Sequence, residues 1–277
     1  MDTTNYSRVT MNQLHNFYYK RMSKLLDFLN KYEIQYVAIG GTVLGAFRHK
    51  GFIPWDEDVD LGMNRENYSK FLKLAAHLDE EYFYIVNYHN TKKIEHGLTK
   101  IGLKGSYLKS RGLLKGYDTS FHIDIFPLDC VPSSQKEQKK HAKKTKILKS
   151  ILYFKSKKNS SKWYKTIALK ILQSLLLPFS SSKIAEKLDL IAQKYERSYF
   201  EVEAFTNVMG AYSYNKEMIK SKVLGKLTDL PFGPLKIKVP EDVHAFLTGV
   251  YGSNYMIPFN RSENLEIEAY ILNDQIN

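Results

Sequence analysis

A chain of 277 residues, 43% hydrophobic and 25% charged, reads as globular and fits one large domain or one and a half. Its only cysteine, Cys130, excludes an intramolecular disulfide and a zinc site of paired thiolates, which suits a reducing cytosol. A net charge of +12 suggests nucleic acid or an anionic membrane, but the charge is local: thirteen lysines, no arginine and one acid, Glu137, lie between Lys136 and Lys170, so the rest of the chain sums to zero.

From the N-terminus, Met1 to Tyr18 mixes Asp2, Arg8 and His15 with polar residues, so no signal peptide is expected and the protein stays where it is made. Leu14, Phe17, Tyr18, Met22, Leu25, Leu26, Phe28 and Leu29 recur at helical spacing and predict an amphipathic helix over 11–32. The apolar run Tyr36 to Ile39 ends at Gly40-Gly41, as a buried strand does on entering a tight turn, and a helix begins at Thr42. Residues 58–63 alternate acidic and apolar side chains, which predicts a strand with Asp58 and Asp60 on one face.

A helix over 67–78 and strands over 82–88 and 97–108 follow. Residues 122–126 form another strand, with His122, Asp124 and Phe126 on one face and Pro127 ending it. The second half reads as mostly helical: the lysine-rich segment, 166–177, 183–199 and 240–251. There is no repeat and no Gly/Ser linker. The expected organisation is a core over 1–132 and a helical region over 133–277 that completes the site, with a soft boundary in one compact unit.

The chemistry is concentrated in Gly40-Gly41-Thr42 and the acidic run Asp56-Glu57-Asp58-Val59-Asp60. A glycine pair before a helix lets backbone approach a phosphate, and the N–H groups of the first turn favour anionic oxygens. Two carboxylates on one strand face supply hard oxygen ligands for a divalent ion bridging protein and phosphates. Asp124 on a neighbouring strand is the third candidate. Each feature alone has a bland reading, a turn or a solvated strand face, and the specificity lies in their combination. Four acids within five residues repel one another and call for a cation nearby.

In these residues the sequence resembles the LicD-type phosphotransferases, whose name-giving members transfer phosphocholine and which include fukutin-related proteins. The resemblance is carried by Gly-Gly-Thr-x-Leu-Gly-x-x-Arg at 40–48, Gly-Phe-Ile-Pro-Trp-Asp-Glu-Asp-Val-Asp at 51–60, Asp-Ile-Phe-Pro-Leu-Asp at 124–129 and Tyr-Gly-x-x-Tyr at 251–255. It implies a nucleotidyltransferase-like α/β fold, a mixed sheet flanked by helices, and chemistry on a CDP-linked alcohol donor with release of CMP. Carried over by position, it implies Mg2+ or Mn2+ on Asp58, Asp60 and Asp124, with Asp124 as ligand or base. Gly40, Gly41 and Thr42 would line the donor phosphates, and Arg48, Lys100 and Arg261 would meet donor or acceptor charge. Trp55 is the candidate wall for a quaternary ammonium, with core packing as its bland reading; a surface lysine is the bland reading of Lys100. Two departures stand out: Gly102 replaces an arginine that relatives carry after this lysine, and Ser262-Glu263-Asn264 stands where relatives show a histidine after Arg261.

The implied acceptor is a cell-surface glycan precursor (teichoic acid, lipopolysaccharide or capsule) on a lipid carrier. The segment 136–179 joins dense positive charge to a short apolar helix. It suits peripheral contact with an anionic membrane at the inner face of the cell membrane, against a solvated lysine face over a buried helix. Nucleic acid is disfavoured, since the segment lacks arginine and carries few rings for stacking. Glycerol- or ribitol-phosphate transfer, nucleotidyl transfer to a small molecule, and a non-catalytic membrane-peripheral protein of the same fold remain open.

Overall fold

The computed structural model describes residues 5–109, 114, 117–159, 162–196, 202–258 and 268–276. The first half runs β1 (Tyr6–Arg8), α1 (Met11–Lys31), β2 (Val37–Ala38), α2 (Gly40–His49), β3 (Val59–Asn64), α3 (Arg65–Leu74), β4 (Phe83–Val86), β5 (Thr99–Leu103), β6 (Ser106–Leu108) and β7 (His122–Cys130). The second runs α4 (Gln135–Ser156), α5 (Trp163–Leu175), α6 (Ser181–Ala192), β8 (Ala204–Thr206), β9 (Met218–Lys220), α7 (Ser221–Leu224), β10 (Thr228–Phe232), β11 (Leu235–Val239), α8 (Val243–Tyr251) and β12 (Ala269–Leu272).

Helix α1 starts where its sequence supplies a reciprocal cap. Thr10 Oγ1 accepts the Gln13 N–H at 3.3 Å, and Gln13 Oε1 accepts the Thr10 N–H at 2.9 Å. From there Leu14, Phe17, Tyr18, Met22, Leu25 and Leu29 all point into the core.

The core is layered on a mixed sheet with strand order β2-β3-β7-β5-β4, extended through β8 and β9. β3 and β7 run parallel, and β5 is antiparallel to β7. This is the mixed α/β sheet flanked by helices that the family resemblance implies. A smaller sheet, β1-β12-β6, joins the two ends of the chain, because the single strand expected over 97–108 turns at Gly105 (φ +82°) and leaves the main sheet.

Two expectations are corrected. Pro127 does not end its strand: β7 continues to Cys130. Its antiparallel neighbour changes there, β5 stopping opposite Ile125 and β8 beginning opposite Asp129, so no N–H is demanded of the proline on that side. The second half also holds strands that its helical reading did not include: β8 and β12 pair with strands far away in sequence, β9 joins through β8, and β10–β11 form a local hairpin. The helix expected over 183–199 is α6 followed by a 3-10 turn to Tyr195; residues 197–199 lie outside the described residues.

A buried ion cluster ties α6 to the sheet. Arg65, opening α3, reaches Asp129 on β7 at 2.6 Å and Asp189 on α6 at 2.7 Å, and Tyr88 donates its hydroxyl to Asp189 at 2.9 Å. Burial pushes the Asp129 carboxyl up, and Arg65 opposes it. Removing the cation leaves two buried acids unpaired, so Arg65→Ala is expected to lower stability by about 3–5 kcal/mol in urea unfolding; a change below about 1 kcal/mol would show that the cluster is not a structural tie.

Candidate active site

The register of the sheet sets the site. Asp60 on β3 stands opposite Asp124 on β7, and Asp124 stands opposite Lys100 on β5, so two acids and a lysine form one row across three strands. Lys100 Nζ lies 3.6 Å from Asp124 Oδ2 and 3.3 Å from Glu95 Oε1. It is buried, which rules out the surface-lysine reading. A cleft of about 260 Å3 opens over this row, lined by Asp58, Glu95, His96, Lys100, His122 and Asp124. Larger grooves elsewhere contain none of the three aspartates.

The glycine pair packs against the acids in a way the sequence did not show. A Cβ on Gly40, whose φ is +57°, would stand 2.7 Å from Asp60 Oδ2, and one on Gly41 2.6 Å from Asp56 Oδ2. Only glycine lets these carboxylates press against the start of α2, where Ile39 offers no side-chain cap and the positive end of the helix favours negative charge. Thr42 serves this geometry through the backbone: its hydroxyl accepts the Asp60 N–H at 2.9 Å, and the Ile39 N–H donates to the Asp60 carbonyl at 3.1 Å. The hydroxyl that was expected to line phosphates therefore anchors a candidate metal ligand.

Helix α1 holds the acidic loop. The Tyr18 hydroxyl lies 2.8 Å from the Glu57 carbonyl and 3.0 Å from that of His122 and donates to them, bridging the two acidic segments. His15 Nε2 lies 2.8 Å from the Asp56 carbonyl, and its ring stacks on Phe52 with centroids 4.3 Å apart. The Tyr19 hydroxyl accepts the Phe52 N–H. These residues were legible only as an apolar helix face, because nothing in a sequence marks a side chain that bonds a distant carbonyl. Glu95 and His96, in the loop before β5, carried no signal either. His122 was placed on the Asp124 face, and the structure adds its partner, Asp118 Oδ1 at 3.5 Å.

The remaining expected residues scatter. Arg48 sits eight residues along α2 from Gly40, about 12 Å on the helix axis, and donates to the Tyr255 carbonyl at 2.7 Å and to His49 at 2.9 Å. It thereby fixes the segment 251–255, whose Tyr251 is pushed well up by burial, then by Tyr212, then by the charges of Asp60 and Asp56. Trp55 is half-buried against the core. Arg261 lies outside the described residues. The Gly102 departure has a steric cause: any Cβ there would meet the Tyr84 ring at 2.3 Å. That ring's hydroxyl donates to Asp118 at 2.7 Å, so a tyrosine occupies the space an arginine would need.

Electrostatically the cluster is strained. Burial first, then the neighbouring carboxylates, raise Asp56, Asp58 and Asp60 above the usual carboxylate range, while Lys100 pulls Asp58 and Asp60 back. Asp58 stands exposed at the lip of the cleft, yet protein still surrounds it closely enough to be raised. The inner oxygen of Asp124, Oδ1, is buried without a hydrogen-bond partner. Hard oxygens, an unpartnered carboxylate atom and excess negative charge fit a hard divalent cation. Among the described residues, no three His, Cys, Asp or Glu side chains stand close enough to form a ready-made cage, while Asp58 and Asp124 line the same cleft.

The mixed α/β sheet brings these acids together, and residues 33–165 match the family described as LicD/FKTN/FKRP, nucleotidyltransferase domain. The chain therefore carries a LicD family domain. Along its length it is similar to the lipopolysaccharide cholinephosphotransferase LicD of Haemophilus influenzae, with 27% identity over 259 residues, covering 90% of this chain and 94% of that protein. A shorter stretch of 76 residues is 34% identical to an uncharacterized protein of Rickettsia prowazekii, covering 27% of this chain and 28% of that one.

The raised carboxyls carry a sign. An acid whose folded pKa exceeds its unfolded value of about 3.9 binds its proton more tightly when folded. Its ionisation therefore destabilises the fold above the folded pKa, and this penalty fades as pH falls through that pKa. In chelator, Asp60→Asn is expected to raise the Tm by a few degrees at pH 8 and to lose that advantage by pH 5; identical melting curves at both pH values would show that the acids do not repel.

Proposed function

We propose that the protein is a divalent-metal-dependent transferase that moves phosphocholine from CDP-choline to a hydroxyl of a surface glycan of the lipopolysaccharide class. The observation that carries this reading is the Asp60–Asp124–Lys100 row across the sheet, of which Asp124 and Lys100 line the cleft together with Asp58. The whole-length likeness to a lipopolysaccharide cholinephosphotransferase supplies the transferred group and the acceptor class.

In this reading Asp58 and Asp60 would hold Mg2+ or Mn2+, which when bound would neutralise the donor pyrophosphate and ease departure of the nucleotide, leaving Asp124 beside them as the base. The chain's own groups do the rest. The backbone at Gly40 and Gly41 presents the uncapped start of α2 to the donor phosphates. Asp124 takes the proton of the acceptor hydroxyl, whose oxygen forms the new bond to the phosphorus of the phosphocholine group. The bond from that phosphorus to the bridging oxygen breaks, and the oxygen leaves with CMP. Lys100, between Asp124 and Glu95, tempers the negative charge that would otherwise repel the donor. Trp55 is the candidate wall for the trimethylammonium group, and Arg48 and Arg261 are the guanidinium candidates for phosphate charge.

The test is CMP release from CDP-choline, CDP-glycerol, CDP-ribitol and ATP, with Mg2+ and with chelator, in the presence of a lipopolysaccharide acceptor extract. Metal-dependent CMP from CDP-choline is expected, and Asp60→Asn or Asp124→Asn should reduce it by roughly 10²–10³-fold while the protein stays folded. Turnover that survives either substitution would sink the mechanism, and CMP from a different CDP-alcohol would correct the donor. Independently of activity, Mg2+ should raise the wild-type Tm more at pH 8 than at pH 5, and should do so less for Asp60→Asn, because a bound cation relieves the repulsion that ionisation creates.

A further inference from the structure

Helix α5 points its apolar residues outward. At about 100° per residue, Trp163, Tyr164, Ile167, Ala168, Ile171 and Leu175 fall on one arc of the helix. The larger ones are exposed: Trp163 by 77%, Ile167 by 52%, Ile171 by 60% and Leu175 by 70%. The opposite arc faces the body, where Leu169 is buried and Gln173 donates its side-chain N–H to the carbonyls of Phe154 and Lys157, each at 2.8 Å. Lys155 of α4 ties the end of the helix by donating to the Leu176 carbonyl at 2.6 Å. The buried-helix reading of this segment is thus overturned. Beyond α5 the stripe continues through Leu177 and Phe179, exposed by 76% and 58%.

The charge around the stripe names what covers it. Lys165 and Lys170 flank the apolar arc on its two sides and are exposed, Lys162 precedes it, and α5 holds no acid. On α4, Lys136, Lys139, Lys140, Lys143, Lys144 and Lys146 are exposed as well. An apolar face rimmed by lysine, with tryptophan and tyrosine at one end, matches a lipid surface that is apolar within and anionic at its headgroups. Thirteen residues rise about 20 Å, short of the roughly 30 Å of a hydrocarbon core, and no helix among the described residues is long and apolar enough to cross a membrane.

We propose that α5 is a membrane-docking helix that lies flat in the headgroup layer of an anionic bilayer, with Trp163, Ile167, Ile171 and Leu175 inserted and the lysines of α4 and α5 on the lipid phosphates. The inference does not rest on the proposed reaction; it depends on side chains that take no part in the cleft.

The experiment is flotation of the purified full chain with vesicles of phosphatidylcholine alone and with about one third phosphatidylglycerol. Binding is expected only to the anionic vesicles, and should weaken as salt rises, since lysine–headgroup attraction is screened. Ile167→Asp/Ile171→Asp should reduce partitioning roughly tenfold or more, with an unchanged Tm and unchanged CMP release from a water-soluble acceptor. Brominated lipid should quench tryptophan emission in the wild type and not in Trp163→Phe. Three results would overturn the proposal: no binding to anionic vesicles, binding unaffected by the double substitution, or a wild-type dimer that the double substitution dissociates, which would assign the face to a second copy of the chain.

Discussion

Parallel pairing of β3 with β7 sets Asp60 beside Asp124, and the surrounding structure can be traced to holding that repulsive pair in place. Burial, and then the charges of Asp58, Asp124 and Asp56, hold the Asp60 carboxyl well above its ordinary range, so the acids press for separation. Three devices answer this pressure here. Lys100 arrives in register from β5, the uncapped start of α2 offers its positive end, and the backbone of Asp60 is clamped by Thr42 and Ile39 so that the strand cannot slip. A one-residue slip of β3 would send Asp60 to the other face of the sheet, away from Asp124.

The same constraint explains why residues far from the cleft matter to it. Tyr18 on α1 bonds carbonyls next to both acidic strands, so its hydroxyl sets the spacing between them. The Arg65 cluster fixes the far end of β7 to α3 and α6 and thereby couples the sheet that carries the acids to the helical half. The tip of the β10–β11 hairpin comes back to the loop before the acids, where Gly233 N–H donates to the Lys50 carbonyl at 2.7 Å, and a Cβ on Gly233 would strike the Tyr19 ring. Long-range contacts of this kind store rigidity where an enzyme needs its charged groups pre-arranged.

The two proposals divide the molecule by physical character. The cleft is a small, charged space shaped by sheet register, suited to a phosphate-bearing donor. The α5 face is broad, apolar and basic, suited to a surface. A transferase whose acceptor is lipid-linked would use both, but each stands on separate residues and separate measurements.

The sequence by itself determined the local elements and marked the candidate acids of the site. The helical spacing of Leu14 to Leu29, the apolar run before Gly40-Gly41 and the alternation through Asp58 and Asp60 are signals within a few residues, and local backbone preferences act on that scale. The long motif at 51–60 carried the family resemblance for the same reason: it is contiguous. Only the tertiary structure decided what depends on distant partners. Pro127 stays inside β7 because its neighbours change on one side, and Gly102 is required because Tyr84 crosses it. Thr42 faces a backbone N–H, and α5 turns its apolar arc to solvent. Each of these is a fact about which surfaces meet, and a hydrophobic pattern specifies that a side chain prefers burial without specifying against what, or whether the covering surface belongs to the same molecule.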